Sequence, residues 1–231
     1  HEINNLLQPV LALSELGSSI ADTNPEKVRK YFDVISSSGK KAREIVRQVL
    51  TFARRDAPQL ASYPIAPLVE DALNLLQSGL PPGIMLKRDL DVTGACAIVN
   101  PTQVSQVMLN LVKNAVDAMG DGGAVEVSLR QVQLDEAAAA GLAIKTGTWV
   151  ELKVADNGCG MDAYTLSRIF EPFFTTKIAG KGTGLGLAVA YSIVTGWGGT
   201  LTMDSEVDKG TTAMVYIPIT SDISSPVREL R

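Results

Sequence analysis

The sequence has one histidine, two cysteines and few aromatic residues, and each shortage closes off a class of function. Cys96 and Cys159 supply neither a disulfide framework nor a zinc site, so reduced thiols in a cytosolic setting are expected. Aromatics make up 5 % of 231 residues, and the net charge is −4 with Lys and Arg scattered. Nucleic-acid binding wants a basic stripe with stacking rings, so it is not expected. The short basic runs Lys40-Lys41 and Arg54-Arg55 fit solvated helix faces. No apolar run approaches the roughly 20 residues of a membrane-spanning helix, and no basic-then-apolar leader opens the chain. The expectation is a soluble fragment without membrane contact of its own, cytoplasmic whether its parent is soluble or membrane-anchored. What is present is 45 % hydrophobic and 20 % charged side chains. That suffices for one good core and a smaller element beside it.

The first element reads as a helical hairpin. Ile3, Leu6, Val10, Leu13 and Ile20 recur at steps of three and four, with Gly17 breaking the register. Asn24-Pro25 offers an N-cap and a first-turn proline. A heptad series then runs through Val28, Tyr31, Ile35, Ser38, Ala42, Ile45, Val49 and Phe52. Narrow apolar seams bury well when two hairpins form a four-helix bundle, so a homodimer is expected; an intramolecular coiled hairpin is the alternative. The helical pattern is already running at residue 1, so a longer parent is expected.

Residues 1–56 thus form the hairpin, and 57–67, with three prolines, read as a linker. Residues 68–220 carry a mixed α/β pattern, and 221–231 a polar tail. Helices are expected at 68–80, 103–119 and 185–195. Strands are expected at 84–90, 95–99, 124–133, 148–155, 200–205 and 211–219; residues 134–147 read as a loop or helical turn. Helices grouped against strand hairpins imply a two-layer α/β sandwich.

Within it, Asn110, Asn114 and Asp117 line one face of the 103–119 helix, opposite a core stripe of Val104, Met108, Leu111, Ala115 and Met119. Asparagine is a poor mid-helix residue because its amide competes for backbone hydrogen bonds. Two readings stand: a solvated face, or oxygen ligands for a magnesium ion bridging phosphates. A strand next runs out into Asp156-Asn157-Gly158-Cys159-Gly160-Met161. There a carboxylate can accept from an adenine amine, and glycines allow close backbone approach. Gly182-Thr183-Gly184-Leu185-Gly186-Leu187 opens a helix whose amides form a natural phosphate cradle. It matches neither the Rossmann nor the Walker pattern. Between the glycine motifs lies Phe170-Glu171-Pro172-Phe173-Phe174-Thr175-Thr176-Lys177, which reads as a lid with aromatic anchors.

The order Asn-x-x-x-Asn, Asp-x-Gly-x-Gly, Phe-x-x-Phe-Phe, Gly-x-Gly-x-Gly resembles the N, G1, F and G2 boxes of sensor histidine kinases. His1-Glu2-Ile3-Asn4-Asn5 resembles their H box. The resemblance runs from residue 1 to about 219 and implies the Bergerat-type ATP-binding fold shared with gyrase, mismatch-repair and chaperone ATPases. One departure is that Leu6-Leu7 follow the H box and the proline comes at Pro9, which touches only the local helix bend.

The resemblance implies ATP-dependent autophosphorylation of His1, transfer to an aspartate of a response regulator receiver domain, and phosphatase activity toward that partner. Glu2 would take or orient a proton of His1, and Asn5 would position a water in dephosphorylation. ATP and Mg2+ would be held by Asn110 and Asn114, with Asn114 the metal ligand and Lys113 and Asp117 on the same helix. Asp156, Gly158, Gly160 and Met161 would frame adenine, with Phe170 at the lid and Thr211 or Thr212 holding a water. Thr175, Thr176, Lys177 and the stretch Gly182, Thr183, Gly184, Leu185, Gly186, Leu187 would meet the phosphates. A gyrase- or chaperone-type ATPase and a silent dimeric scaffold are the competing expectations.

Overall fold

The structure is a computed structural model that describes residues 2–21, 23–53, 59–92, 94–120, 122–177 and 182–220, with residues 2–6, 41 and 44–53 described by backbone alone. The chain divides into two compact units, residues 1–55 with 175–185 and residues 56–174 with 186–231.

In the first unit, α1 (Glu2–Ser19) and α2 (Pro25–Ala53) form the expected hairpin. The carbonyl of Ile20 closes α1 by accepting from Thr23 and Asn24 N–H groups at 3.1 and 2.9 Å. Asn24 then caps α2, its Oδ1 accepting from Lys27 N at 3.1 Å, and Pro25 takes the first helical position where no amide is needed. Pro9 lies within α1 without ending it. The seam read from the sequence is where α1 and α2 meet. Val10, Leu13, Ile20, Val28, Tyr31 and Ile35 are half-buried, and Gly17 and Ser38 are buried. Leu7, Leu11 and Phe32 lie outside that seam and stay exposed, the last two at 65 %.

The second unit is a seven-stranded mixed sheet. In chain order it runs β1 (Ala61–Pro64), α3 (Ile65–Gln77), β2 (Ile84–Asp91), β3 (Cys96–Val99) and α4 (Pro101–Met119). It continues with β4 (Gly123–Leu134), α5 (Glu136–Gly141), β5 (Gly147–Asp156), α6 (Ala163–Arg168), α7 (Gly186–Gly196), β6 (Thr200–Glu206) and β7 (Gly210–Thr220). The strand order is β1-β3-β7-β5-β4-β2, with β6 paired on β7. Among the described residues, only β2 and β4 pair in parallel.

Register explains the core. Val127, Val154 and Ala213 lie side by side across β4, β5 and β7, as do Leu129, Leu152 and Val215, and all are buried. Alternate positions such as Glu126, Lys153 and Arg130 face the other way, as a half-buried sheet demands. Helix α4 lays Val104, Val107, Met108, Leu111, Val112 and Ala115 toward the sheet, flanked by α3 and α7. A smaller cluster of Leu134, Ala139, Trp149 and Tyr216 covers part of the far face. The two-layer α/β sandwich is therefore present, with β-rich and helical layers where the alternation put them.

One local expectation changes, and one open alternative is decided. The stretch 57–67, read as a linker, contains β1 and the start of α3. Pro64 is the N-cap of α3 and Pro67 sits in its first turn, positions whose amides have no intrahelical partner, so neither proline breaks structure. Residues 134–147 do hold a helix, α5, capped by Asp135, whose carboxylate accepts from Ala138 N at 2.8 Å. The tail 221–231 lies outside the described residues. Among the described residues, no helix is long and apolar enough to cross a membrane.

Leu129 is fully buried, flanked across the sheet by Leu152 on β5 and Leu90 on β2. Leu129→Ala should therefore lower unfolding free energy by about 2–5 kcal/mol. Urea denaturation checks this; an unchanged midpoint would remove Leu129 from the core.

Candidate nucleotide-binding site

Asn100 starts α4 by accepting from Gln103 N at 3.2 Å, and Pro101 follows as the first helical residue. With the apolar stripe turned to the sheet, Asn110 and Asn114 fall half-buried on one neighbouring face, with Lys113 and Asp117 exposed. The N-terminus of α7 comes up beside them: a Cβ added at Gly186 would lie 3.5 Å from Asn110 Oδ1. Trp197 Nε1, at the far end of α7, donates to Gln103 Oε1 at 3.0 Å, tying the two helices together. The first turn of α7, whose amides have no intrahelical partner and which includes Leu187, thus stands next to the Asn110 side-chain amide.

Asp156 ends β5. Its Oδ1 accepts from Gly158 N at 2.8 Å and from Thr211 N at 3.3 Å. One oxygen therefore fastens the carboxylate to the strand ends, while Oδ2 remains as a directed acceptor. Burial raises the pKa of this carboxyl above its ordinary value, partly offset by the Gly158 and Thr211 amides. The folded protein thus binds this proton more readily than the unfolded chain. Its contribution to stability declines as pH rises from the ordinary carboxylate pKa through the raised one. An ionised group retained against its own desolvation is characteristic of a functional position.

The loop after Asp156 is sewn to its neighbours by backbone. Asn157 Oδ1 accepts from Ala124 N at 2.8 Å, Cys159 N donates to Ala118 O at 3.0 Å, and Asp208 N donates to Cys159 O at 2.8 Å. A Cβ on Gly158 would sit 2.7 Å from Ala118 O. Gly160 has φ +62°, and a Cβ there would collide with the Glu206 carbonyl. Packing between α4 and the β6–β7 turn is itself sufficient to demand glycine at both positions. Met161, half-buried, follows directly.

Alternation separates the two threonines. Thr211 pairs with Asp156 and shares its face, whereas Thr212 pairs with Ala155 and projects from the opposite face. Of the two alternatives, Thr211 is the one on the Asp156 face. Thr211 Oγ1 is 2.9 Å from Ser205 Oγ, a partner the sequence did not reveal. Phe170 stacks on Tyr191 of α7 with ring centroids 4.8 Å apart.

Residues 175–177 and 182–185 fall in the first unit. Thr175 Oγ1 accepts from Lys177 N at 3.1 Å, and a Cβ on Gly182 would lie 3.0 Å from both Thr175 Oγ1 and Lys177 Cδ. Thr183 Oγ1 accepts from Leu185 N at 3.3 Å, and Gly184 takes φ +63°. Thr176 is exposed. Residues 178–181 lie outside the described residues, as does His1; the side chains of Glu2 and Asn5 do too.

Sequence reasoning missed α6, which is only six residues long, and Arg168 within it. The cap that could have flagged α6 is Asp162, accepting from Thr165 N at 2.7 Å. Among the described residues, no group of three or more His, Cys, Asp or Glu is placed to hold a metal. The donor set instead suits an ion that arrives with phosphate oxygens and takes one or two protein oxygens.

Comparison with known proteins agrees with this geometry. Residues 99–221 match the model of the histidine kinase-, DNA gyrase B- and HSP90-like ATPases. Residues 1–58 match the His Kinase A (phospho-acceptor) domain. The chain belongs to the histidine kinases, as a phosphoacceptor domain joined to their ATPase domain. Sensor kinase CckA of Brucella abortus is 34 % identical over 94 % of this chain and 23 % of its own length. Sporulation kinase E of Bacillus subtilis is 30 % identical over 95 % of this chain and 27 % of its own length. The chain thus spans about a quarter of these relatives. Full-length ShkA in complex with AMPPNP shares the fold, with a TM-score of 0.68 at 24 % identity, over 88 % of this chain and 41 % of that one. So does histidine kinase ThkA in complex with response regulator protein TrrA, with a TM-score of 0.68 at 20 % identity, over 94 % of this chain and 59 % of that one.

Asp156→Asn keeps an Oδ1 acceptor for Gly158 and Thr211 but replaces Oδ2 with a donor. Folding should survive, while ATP affinity should fall about ten- to a hundred-fold. Calorimetric titration checks this; undiminished affinity would remove Asp156 from adenine recognition. In the unaltered protein, ATP affinity should weaken on acidification at a higher pH than an ordinary carboxylate would impose, and Asp156→Asn should lose that dependence.

Proposed function

We propose that this chain transfers the γ-phosphoryl group of ATP to His1 and then to an aspartate of a response regulator receiver domain. The observation that carries the reading is the Asp156 carboxylate, fixed through one oxygen, at a strand end whose following loop is hydrogen-bonded to α4, the helix that bears Asn110 and Asn114. Membership of the phosphoacceptor and ATPase families supports both halves of the reaction. A structural neighbour supplies the partner class: ThkA was captured with a response regulator.

In the first step a neutral imidazole nitrogen of His1 attacks the γ-phosphorus, and the bond to ADP breaks. His1 is the one histidine in the sequence, and an unperturbed imidazole is largely neutral at neutral pH. Glu2 takes or orients the second ring proton, and Asn5, one helical turn on, positions a water when the partner's phosphate is hydrolysed. Oδ2 of Asp156 receives the adenine amine, and Thr211 holds a water beside it. Amides at Gly186 and Leu187 face phosphate, as do Thr175, Thr176, Lys177 and the Gly182–Leu185 backbone. Asn114, assisted by Asn110, would hold the magnesium ion, which would supply charge neutralisation on the phosphates.

The exposed Leu7, Leu11 and Phe32 support association of two hairpins into a four-helix bundle. A homodimer working in the cytoplasm, on a parent either soluble or membrane-anchored, completes the proposal.

His1→Gln should abolish phosphate incorporation from γ-labelled ATP while leaving ATP affinity unchanged; residual acid-labile label on that variant would refute the acceptor. Asn114→Ala should weaken ATP with magnesium more than ATP without it. Equal loss in both conditions would show that Asn114 does not act through the metal.

A further inference from the structure

Arg168, which neither the family resemblance nor the nucleotide site uses, is the hub of a contact set. Its Nε and Nη2 donate to Glu171 Oε2 at 2.9 and 2.8 Å, and Nη1 donates to Tyr164 Oη at 2.5 Å. The guanidinium lies 4.5 Å from the centroid of the Phe174 ring and 5.3 Å from that of Tyr164. Every nitrogen of the group is therefore committed inside the segment that carries it. Two successive turns accompany this: Glu171 N donates to Arg168 O at 2.8 Å, and Phe174 N to Glu171 O at 3.2 Å.

What this set holds in place is strained and open to solvent. Phe173 has φ +69°, a left-handed conformation that a bulky side chain resists, and its ring is 67 % exposed. Such a conformation persists where surrounding contacts over-determine it. Here the contacts on either side come from Arg168: the fork on Glu171 and the stack on Phe174. Ring burial does not hold Phe173, and exposed ion pairs of this kind add little to global stability. The cluster therefore orders a local segment while leaving the core alone.

Phe174 is the last residue before the chain passes into Thr175-Thr176-Lys177. We propose that Arg168 is a positioning residue that fixes the course of the chain through Phe173 and Phe174, so that the phosphate-contacting stretch starts in its binding conformation. This rests on the nucleotide reading above. It also makes a distinction: Arg168 acts through Glu171 and Phe174, and its charge is not a phosphate ligand.

The test compares ATP·Mg with adenosine, because a loss confined to phosphate contacts spares the nucleoside. Arg168→Gln should reduce ATP affinity about threefold to fivefold, the upper weight of an exposed ion pair with good geometry, with adenosine affinity unchanged. Its thermal midpoint should match that of the unaltered protein. Arg168→Lys, which keeps the charge but lacks the planar fork, should behave like Arg168→Gln. Full rescue by lysine would overturn the proposal by making the charge itself the phosphate contact. Equal losses for ATP and adenosine, or no loss for either, would overturn it as well. Failure of the unaltered chain to bind ATP would overturn the nucleotide reading and this proposal together.

Discussion

Much of the second unit's organisation depends on the way one oxygen of Asp156 is spent. By accepting from Gly158 and Thr211, Oδ1 joins the end of β5 to the following loop and to the neighbouring strand β7. That fastening holds the remaining oxygen in a fixed direction, which a freely rotating carboxylate would not have. The same loop then runs against the last turn of α4 through Cys159 and against the β6–β7 turn through Asp208. Carboxylate, asparagine face and strand end are held in one frame, because the elements that bear them share backbone hydrogen bonds there. The cost is a half-buried carboxyl that resists ionisation, and burial is its leading cause.

Glycine takes on a double meaning in this frame. Gly158 and Gly160 can be read as openings for a flat ligand, and the structure gives a reason that precedes any ligand. Backbone from α4 and from the β6–β7 turn occupies the space where side chains would stand. Close approach of three elements and a shaped nucleotide slot are compatible consequences of one requirement. At Gly186 the added Cβ meets Asn110 at ordinary van der Waals distance, so packing there is less demanding.

Period-two alternation in β4, β5 and β7 and the long apolar stripe of α4 were legible because burial on one face forces them. The order of the polar and glycine motifs made the family visible. Other features were hidden for physical reasons. Pro64 and Pro67 resemble linker residues, yet a proline at a helix start has no amide to waste. Helix α6 is too short for periodicity to register. Arg168 gave no signal at all, since its role lies in contacts with Tyr164, Glu171 and Phe174 that spacing alone does not rank. The choice between Thr211 and Thr212, by contrast, could have been made from alternation, since Val215 and Ala213 fix which face odd-numbered residues of β7 share.

The account stands on chemistry at one nitrogen, so the direct measurement is the identity of the phosphorylated residue. The chain is incubated with γ-labelled ATP and magnesium, digested, and its labelled peptide tested in acid and in alkali. Label that is lost in acid, survives in alkali and resides in the peptide that begins at His1 is the predicted result. Acid-stable label, or release of free phosphate with none on the protein, would contradict it.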